Sequence, residues 1–147
     1  MARVKTTIRA MLLLTTAIAL ISTLAVEVNR RLNNYVLNPY RLQSTGDILI
    51  DYMDRYGRWP ADWNELQHFV ETNGSDLHGV STFRELQENI TIDFSFDPGT
   101  VDLPIEGFEN DPHLRIVVAS DGTYHGATHD PNTTIFRYLQ RKRQHEK

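Results

Sequence analysis

The chain has 147 residues, of which 40% are apolar, and a formal net charge of −4. A chain of this length can build one compact domain and is too short for two ordinary ones. It contains no cysteine, which excludes a disulfide framework, a thiolate nucleophile and a cysteine-based zinc site.

Charge is distributed unevenly along the chain. Arg3, Lys5 and Arg9 come first, and no acidic residue occurs before Glu27. Subtracting these three positive charges from the −4 of the whole chain leaves −7 for the rest. A net-acidic part has no broad attraction to phosphate, which supplies most nucleic-acid affinity, so we expect no nucleic-acid partner.

An uncharged apolar run occupies residues 10–26 (AMLLLTTAIALISTLAV). As a helix of 17 residues it reaches roughly 25 Å, slightly less than a hydrocarbon layer of about 30 Å. The basic residues before it favour a cytoplasmic N-terminus. The run therefore predicts a single-pass signal anchor in a membrane, with residues 1–9 cytoplasmic and the C-terminal domain extracytoplasmic.

Two alternatives for this run stay open. The small residues of Thr23-Leu24-Ala25 fit a signal peptide that is cleaved after Ala25. A buried helix of a cytoplasmic domain would need a core that covers a helix apolar on every side, which a chain this small hardly provides.

Apolar residues recur at helical spacing beyond the run and predict an amphipathic stalk over residues 27–43. They are Val28, Leu32, Tyr35, Val36 and Leu42. We expect Pro39 to bend or break this helix. The remaining residues, 44–147, are predicted to form the extracytoplasmic domain.

A second helix is predicted to start near Ser44 or Thr45, either of which can cap it, and to stop at Gly57. Its core face is predicted from residues that recur at helical spacing. These are Ile48, Leu49, Tyr52, Met53 and Tyr56.

The most distinctive stretch runs from Gly57 to Leu66 (GRWPADWNEL). Gly57 supplies a helix C-cap, and Asp62 can cap a short third helix. That helix carries Leu66, Phe69 and Val70 inward. Trp59 and Trp63 are predicted to fold back as core residues, the commoner role for large aromatics, or to form an exposed platform that binds a sugar or peptide ligand.

Several strands are predicted after a short helical turn over residues 83–88. Residues 90–97 (ITIDFSFD) alternate apolar and polar side chains without error and give the clearest strand. Residues 101–105 suggest an edge strand, and residues 114–119 another strand. Ser120-Asp121-Gly122-Thr123 predicts a hairpin turn into residues 123–126.

A terminal helix capped by Asn132 is predicted to place Ile135, Phe136 and Leu139 inward. A last strand over residues 133–138 is the alternative. The order of helices followed by strands predicts an α+β fold, with an N-terminal transmembrane and stalk helix followed by helices packed on a small antiparallel sheet.

No set of residues converges on catalysis, a cofactor or a metal. His113, His125 and His129 are the only clustered ligand types, and two histidines four apart on a strand stand about 13 Å from each other. Asp93 and Asp97 have the same separation, too far for paired carboxylates. We interpret them, and the one-turn pair of Asp51 and Asp54, as solvated surface. We expect no enzyme, no cofactor and no metal site.

The layout resembles that of type IV pilin-like proteins, especially pseudopilins. The shared features are the apolar helix with its stalk, the turn Tyr56-Gly57-Arg58-Trp59-Pro60 followed by Leu66, and a small antiparallel sheet. The leader-peptidase site of that family is missing, since Glu27 follows the apolar run instead of lying near its start. The short motif also resembles that of uncharacterised single-pass bacterial membrane proteins, and neither resemblance implies a functional residue here.

These patterns predict a non-enzymatic, membrane-anchored module that acts through protein contact, as a subunit of an envelope complex or a pilin-like assembly. Its expected partners are the membrane through residues 10–26 and other envelope proteins or further copies of itself. The alternative is a secreted or anchored domain that binds a ligand on an aromatic surface around Trp59 and Trp63.

Overall fold

A computed structural model of the protein describes residues 2–77, 79–101, 115–123 and 130–145. In these ranges the fold is α+β, as predicted, with helices and a two-stranded antiparallel sheet. The elements are α1 (Ala2–Tyr56), α2 (Trp63–Asn73), α3 (Phe83–Asn89), β1 (Ile90–Ile92), β2 (Val117–Ala119) and α4 (Pro131–His145).

Helix α1 is continuous through Pro39, so the predicted break there is wrong. A proline inside a helix removes one backbone hydrogen bond, and tertiary packing can compensate for that loss. Ser44 and Thr45 do not cap a new helix: both are buried, and the Thr45 hydroxyl donates to the Arg41 carbonyl at 2.8 Å inside α1. The helix ends where predicted, since Gly57 has a φ of 69° and its N–H donates to the Met53 carbonyl.

The chain divides into two compact units, Met1–Val36 and Leu37–Lys147. The first unit is helical over its described residues, and the apolar side chains described there are exposed. The second unit begins before residue 44, the predicted start of the domain, because Asn38, Arg41 and Leu42 are already buried.

The core of the second unit forms around the last turns of α1. Ile48, Leu49, Tyr52 and Met53 are almost completely buried, which confirms the predicted face, whereas Tyr56 is 50% exposed. The other elements add the rest of the core. Their contributions include Leu66, Phe69, Leu86, Ile90, Val117, Ile135 and Phe136.

Helix α2 begins where predicted, and local hydrogen bonds define both of its ends. The Asp62 carboxylate accepts the Glu65 N–H at 2.9 Å, and the left-handed Gly74 donates its N–H to the Val70 carbonyl. The short helix α3 is capped in the same way by Thr82.

Strand β1 is shorter than the predicted strand over residues 90–97. The Asp93 carboxylate accepts the N–H and the hydroxyl of Ser95, and this turn ends the strand after Ile92. Phe94 and Phe96 stay half-buried with an exposed Ser95 between them. The alternation of side chains therefore persists beyond the hydrogen-bonded ladder.

Strand β2 pairs with β1 in an antiparallel register that places Ile90 opposite Ala119 and Ile92 opposite Val117. A turn follows as predicted, with the Gly122 N–H donating to the Ala119 carbonyl at 3.0 Å. The predicted return strand beyond residue 123, and the edge strand over residues 101–105 except for its first residue, lie outside the described residues.

Helix α4 confirms the predicted terminal helix, and the alternative strand over residues 133–138 is wrong. Its cap is Asp130 rather than Asn132: the Asp130 carboxylate accepts the N–H of Thr133 at 3.1 Å and its hydroxyl at 2.8 Å. The start of α4 approaches α1 closely at Gly46. A Cβ on this residue would lie 3.0 Å from the Pro131 Cβ, which explains a glycine inside α1.

Candidate functional site

Trp59 is a core residue. Its side chain is only 7% exposed, and its indole N–H donates to the Asp93 carbonyl at 3.0 Å. Its ring meets Phe96 edge to face, with centroids 5.0 Å apart. Both the apolar body and the polar tip of the indole are therefore used inside the domain.

Trp63 is half-buried and makes a separate set of contacts. Its ring meets Phe83 and Phe94 edge to face, at centroid distances of 5.6 and 5.7 Å. Trp59 and Trp63 therefore do not form one exposed platform, which corrects that part of the sequence interpretation. A ligand that binds an indole of this pair would find only Trp63 partly exposed.

An ionic cluster forms where α1 turns into α2. The Arg58 guanidinium donates to the Glu65 carboxylate through two nitrogens and lies over the Tyr52 ring, 5.6 Å from its centroid. The same carboxylate accepts the backbone N–H of Ala61 at 2.7 Å. Glu65 thus ties the turn to the first turn of α2.

The pKa values follow from these contacts. Hydrogen bonds from Arg58, then from Tyr52 and from the Ala61 N–H, lower the pKa of Glu65 from its ordinary 4.5 to about 2. Burial, reinforced by the hydrogen bond to Glu65, raises the pKa of Tyr52. Glu65 is therefore a fixed anion at neutral pH that holds the turn, not a group tuned to exchange a proton near pH 7.

A second polar cluster, which we call the Arg41 network, lies inside the domain. Arg41 is buried and donates to the Glu85 carboxylate at 3.0 Å and to the Asn38 side-chain oxygen at 2.8 Å. Asn38 in turn donates to the Thr123 hydroxyl at 2.9 Å and to the Asp121 carboxylate at 3.3 Å. The network joins α1, α3 and the turn after β2.

Sequence reasoning missed the Arg41 network because Arg41 fell within the predicted stalk. One signal was present: Arg41 precedes Leu42 and stands one helical turn before Thr45, both on the side of α1 that the domain covers. A charge at such a position needs a partner, because burial of an unpaired charge is very costly.

The remaining carboxylates considered from the sequence have structural roles or lie at the surface. Asp93 and Asp97 accept backbone N–H groups in their turns, and Asp54 accepts the Tyr138 hydroxyl at 3.0 Å. Asp51 is exposed. Within the described ranges no group of three or more His, Cys, Asp or Glu side chains is placed to hold a metal. The histidines at 113, 125 and 129 lie outside those ranges.

A pocket of about 180 Å³ opens beside the last turns of α1 and α4, and basic residues line part of it. Arg143 donates to the carbonyls of Val101 and Pro98 at 2.6 and 2.7 Å, and Lys142 reaches the Met53 carbonyl at 3.4 Å. These cations satisfy carbonyl groups at the ends of turns and helices.

The apolar part of α1 is the largest exposed hydrophobic surface of the described chain. Among the described residues, this helix is the one that is long and apolar enough to cross a membrane. A signal sequence near an N-terminus meets the same criteria. Leu14, Ile21 and Leu24 are each more than 60% exposed. The hydroxyls of Thr16 and Thr23 donate to carbonyls one turn earlier, so they are satisfied without water.

The segment that follows the apolar run carries compensated charge and more exposed apolar side chains. The Glu27 carboxylate accepts from Arg30 and from Arg31. Four apolar side chains of this segment are more than half exposed. They are Val28 (55% exposed), Leu32 (61%), Tyr35 (68%) and Val36 (60%).

Comparison with known proteins found no family model, no curated protein and no solved structure that matches this chain.

Proposed function

We propose that this chain is a single-pass, membrane-anchored module whose C-terminal domain lies outside the cytoplasm and acts through protein contact rather than catalysis. The observation that carries the proposal is the exposed apolar stretch of α1 over residues 10–26. Burial of apolar surface is worth about 25 cal/mol per Å², so a helix that is apolar on every side partitions strongly out of water.

The charges on either side of the stretch support the proposed orientation. Arg3, Lys5 and Arg9 precede the run, whereas only two basic residues follow it within five positions. Because basic residues are retained on the cytoplasmic side, this difference supports an N-terminus inside and a domain outside.

Contact is the proposed mode of action because the deepest polar groups of the described domain hold structure together. Arg41 is paired with Glu85, and Asp130 caps α4. A domain fixed beside a membrane, with its polar side chains used in this way, fits a subunit of an envelope complex or of a pilin-like assembly.

The absence of cysteine gives a direct test of orientation. Asn64 is exposed on α2, so an Asn64→Cys variant carries one reactive thiol on the surface of the domain. In intact cells whose outer permeability barrier has been opened, a membrane-impermeant maleimide is expected to label this variant fully.

The matched control is the same variant after lysis, which sets the maximum labelling. Labelling only after lysis would place the domain in the cytoplasm and contradict the proposal. Labelling of the cysteine-free parent chain would show that the reagent reacts elsewhere.

A further inference from the structure

The exposed apolar surface of α1 has a seven-residue repeat that extends past the membrane run. Leu14, Ile21, Val28 and Tyr35 follow each other at intervals of seven, and each is more than half exposed. Leu24 lies between two of them, so the spacing alternates between three and four. This alternation places the five residues along one line of the helix surface, which we call the seam. Helices that pair with each other show this pattern.

Lipid accounts for only the lower part of this seam. At about 1.5 Å per residue, Val28 stands about 3 Å beyond Val26, whereas Tyr35 and Val36 stand about 14 to 15 Å beyond it. The headgroup region is only about 5 to 8 Å deep on each side. A typical tilt of about 20° shortens these heights by only about 6%. Tyr35 and Val36 therefore lie in water unless protein covers them.

Resting on the anchoring proposed above, we infer that the seam binds the same seam of a second copy of this chain, in parallel. Two copies anchored by the same apolar run present the same residues at the same height, so Val28 meets Val28 and Tyr35 meets Tyr35. β-Branched Ile21 and Val28 at one seam position, with Leu24 at the other, favour two parallel strands.

A charged residue on the seam restricts how two copies can pair. Arg31 falls at a seam position, and its guanidinium donates to Glu27 of the same helix at 2.9 Å. Arg30 donates to the same carboxylate, so each helix carries one excess positive charge there. In a parallel pair the two Arg31 side chains stand at the same height, and Glu27 reduces their mutual repulsion without removing it. A polar group at one seam position restricts the helices to one register, at a cost in stability.

Cysteine substitutions in the full-length chain test the inference in its own membrane. Val28→Cys and Tyr35→Cys place a thiol on the seam, and Asn33→Cys places one about 140° around the helix from Val28. All three positions are exposed, and the parent chain has no cysteine. Asn33→Cys is therefore the matched control.

After oxidation of isolated membranes with copper phenanthroline, both seam variants are expected to yield a disulfide-linked species of twice 17.0 kDa. Its yield should exceed that of Asn33→Cys by about tenfold, because only the seam thiols meet the geometric requirements of the bond.

Equal yields at all three positions would mean random collision and would overturn the inference. So would no dimer at any position, or linkage of the seam thiols to a protein of another mass. Each of these results in the membrane fraction leaves the anchor proposal intact. Recovery of the chain in the soluble fraction instead would refute the anchor itself.

Discussion

Glu65 shows how one side chain holds the turn between α1 and α2. Its carboxylate accepts from Arg58 and from the Ala61 N–H, and these bonds lower its pKa to about 2. A carboxyl group whose pKa is lower in the folded than in the unfolded chain stabilises the fold above the unfolded pKa. That contribution is lost as the pH falls from about 4.5 towards 2.

We predict that Glu65→Gln lowers the free energy of unfolding by about 1 kcal/mol at pH 7, a modest figure because water screens the half-exposed Arg58. The variant should also lose part of the decline in stability between pH 4.5 and 2. Urea unfolding of the full chain in detergent, followed by tryptophan fluorescence, measures both effects.

Glu88→Gln is the control for that variant. Glu88 pairs with Arg84 on the surface of α3, and both side chains are well exposed. Its loss should change the unfolding free energy by only about 0.3 kcal/mol. Equal effects of the two substitutions would contradict the role given to Glu65.

Arg41 has a larger predicted effect because its charge is buried. Replacement by methionine keeps the aliphatic bulk but leaves the Glu85 carboxylate and Asn38 without the guanidinium. We expect Arg41→Met to lower the unfolding free energy by about 3 kcal/mol, since breaking a buried pair strands its partner. The Arg41→Met and Glu85→Gln double variant should be less destabilised than the sum of the two single variants.

Arg84→Met is the matched surface control, because Arg84 also pairs with a glutamate but is 83% exposed. Urea unfolding that shows no greater loss for Arg41→Met than for Arg84→Met would refute a stabilising Arg41 network.

The capping residues that were predicted correctly bond to residues only a few positions away in the chain. Gly57 ends α1 and Asp62 begins α2 through bonds to residues three or four positions away. Trp59 and Arg41 differ, because their partners Asp93 and Glu85 lie 34 and 44 residues further along the chain. Periodicity indicates which side chains are buried but does not identify such distant partners.

At the scale of elements, a side chain completes the sheet. The Asn132 amide of α4 accepts the Val117 N–H and donates to the Val117 carbonyl, both at 2.9 Å. Asn132 therefore forms hydrogen bonds with the edge of β2 that faces away from β1. It satisfies the N–H and the carbonyl of the buried Val117.

We predict that Asn132→Ala lowers the unfolding free energy by about 2 to 3 kcal/mol, because both backbone groups of Val117 lose their partner. Hydrogen exchange at the Val117 amide should accelerate, while the β1 amides that bond to β2 stay protected. Asn64→Ala on the exposed face of α2 is the control and should change neither quantity. Unchanged exchange at Val117 would contradict this account.

Element types were more predictable than element ends. Helix α4 and the cap of α2 follow from patterns within one helix, whereas the end of β1 depends on a turn that Asp93 and Ser95 make within an otherwise ideal alternation. The break predicted at Pro39 was wrong because proline disfavours a helix interior without excluding one, and α1 continues through it.

For the molecule as a whole, we propose that residues 10–26 stay attached and hold the domain at a membrane. That run and the α+β class were both readable from composition and periodicity, since each depends on many residues at once. The burial of Trp59 was not, because the sequence does not reveal that the distant residues Asp93 and Phe96 contact its ring.

The intact mass of the mature protein, measured separately from washed membranes and from the soluble fraction, distinguishes a retained anchor from a cleaved signal peptide. We predict full-length protein of 17.0 kDa in the membranes. A soluble product that lacks about 25 N-terminal residues would show a cleaved signal peptide and contradict the anchor.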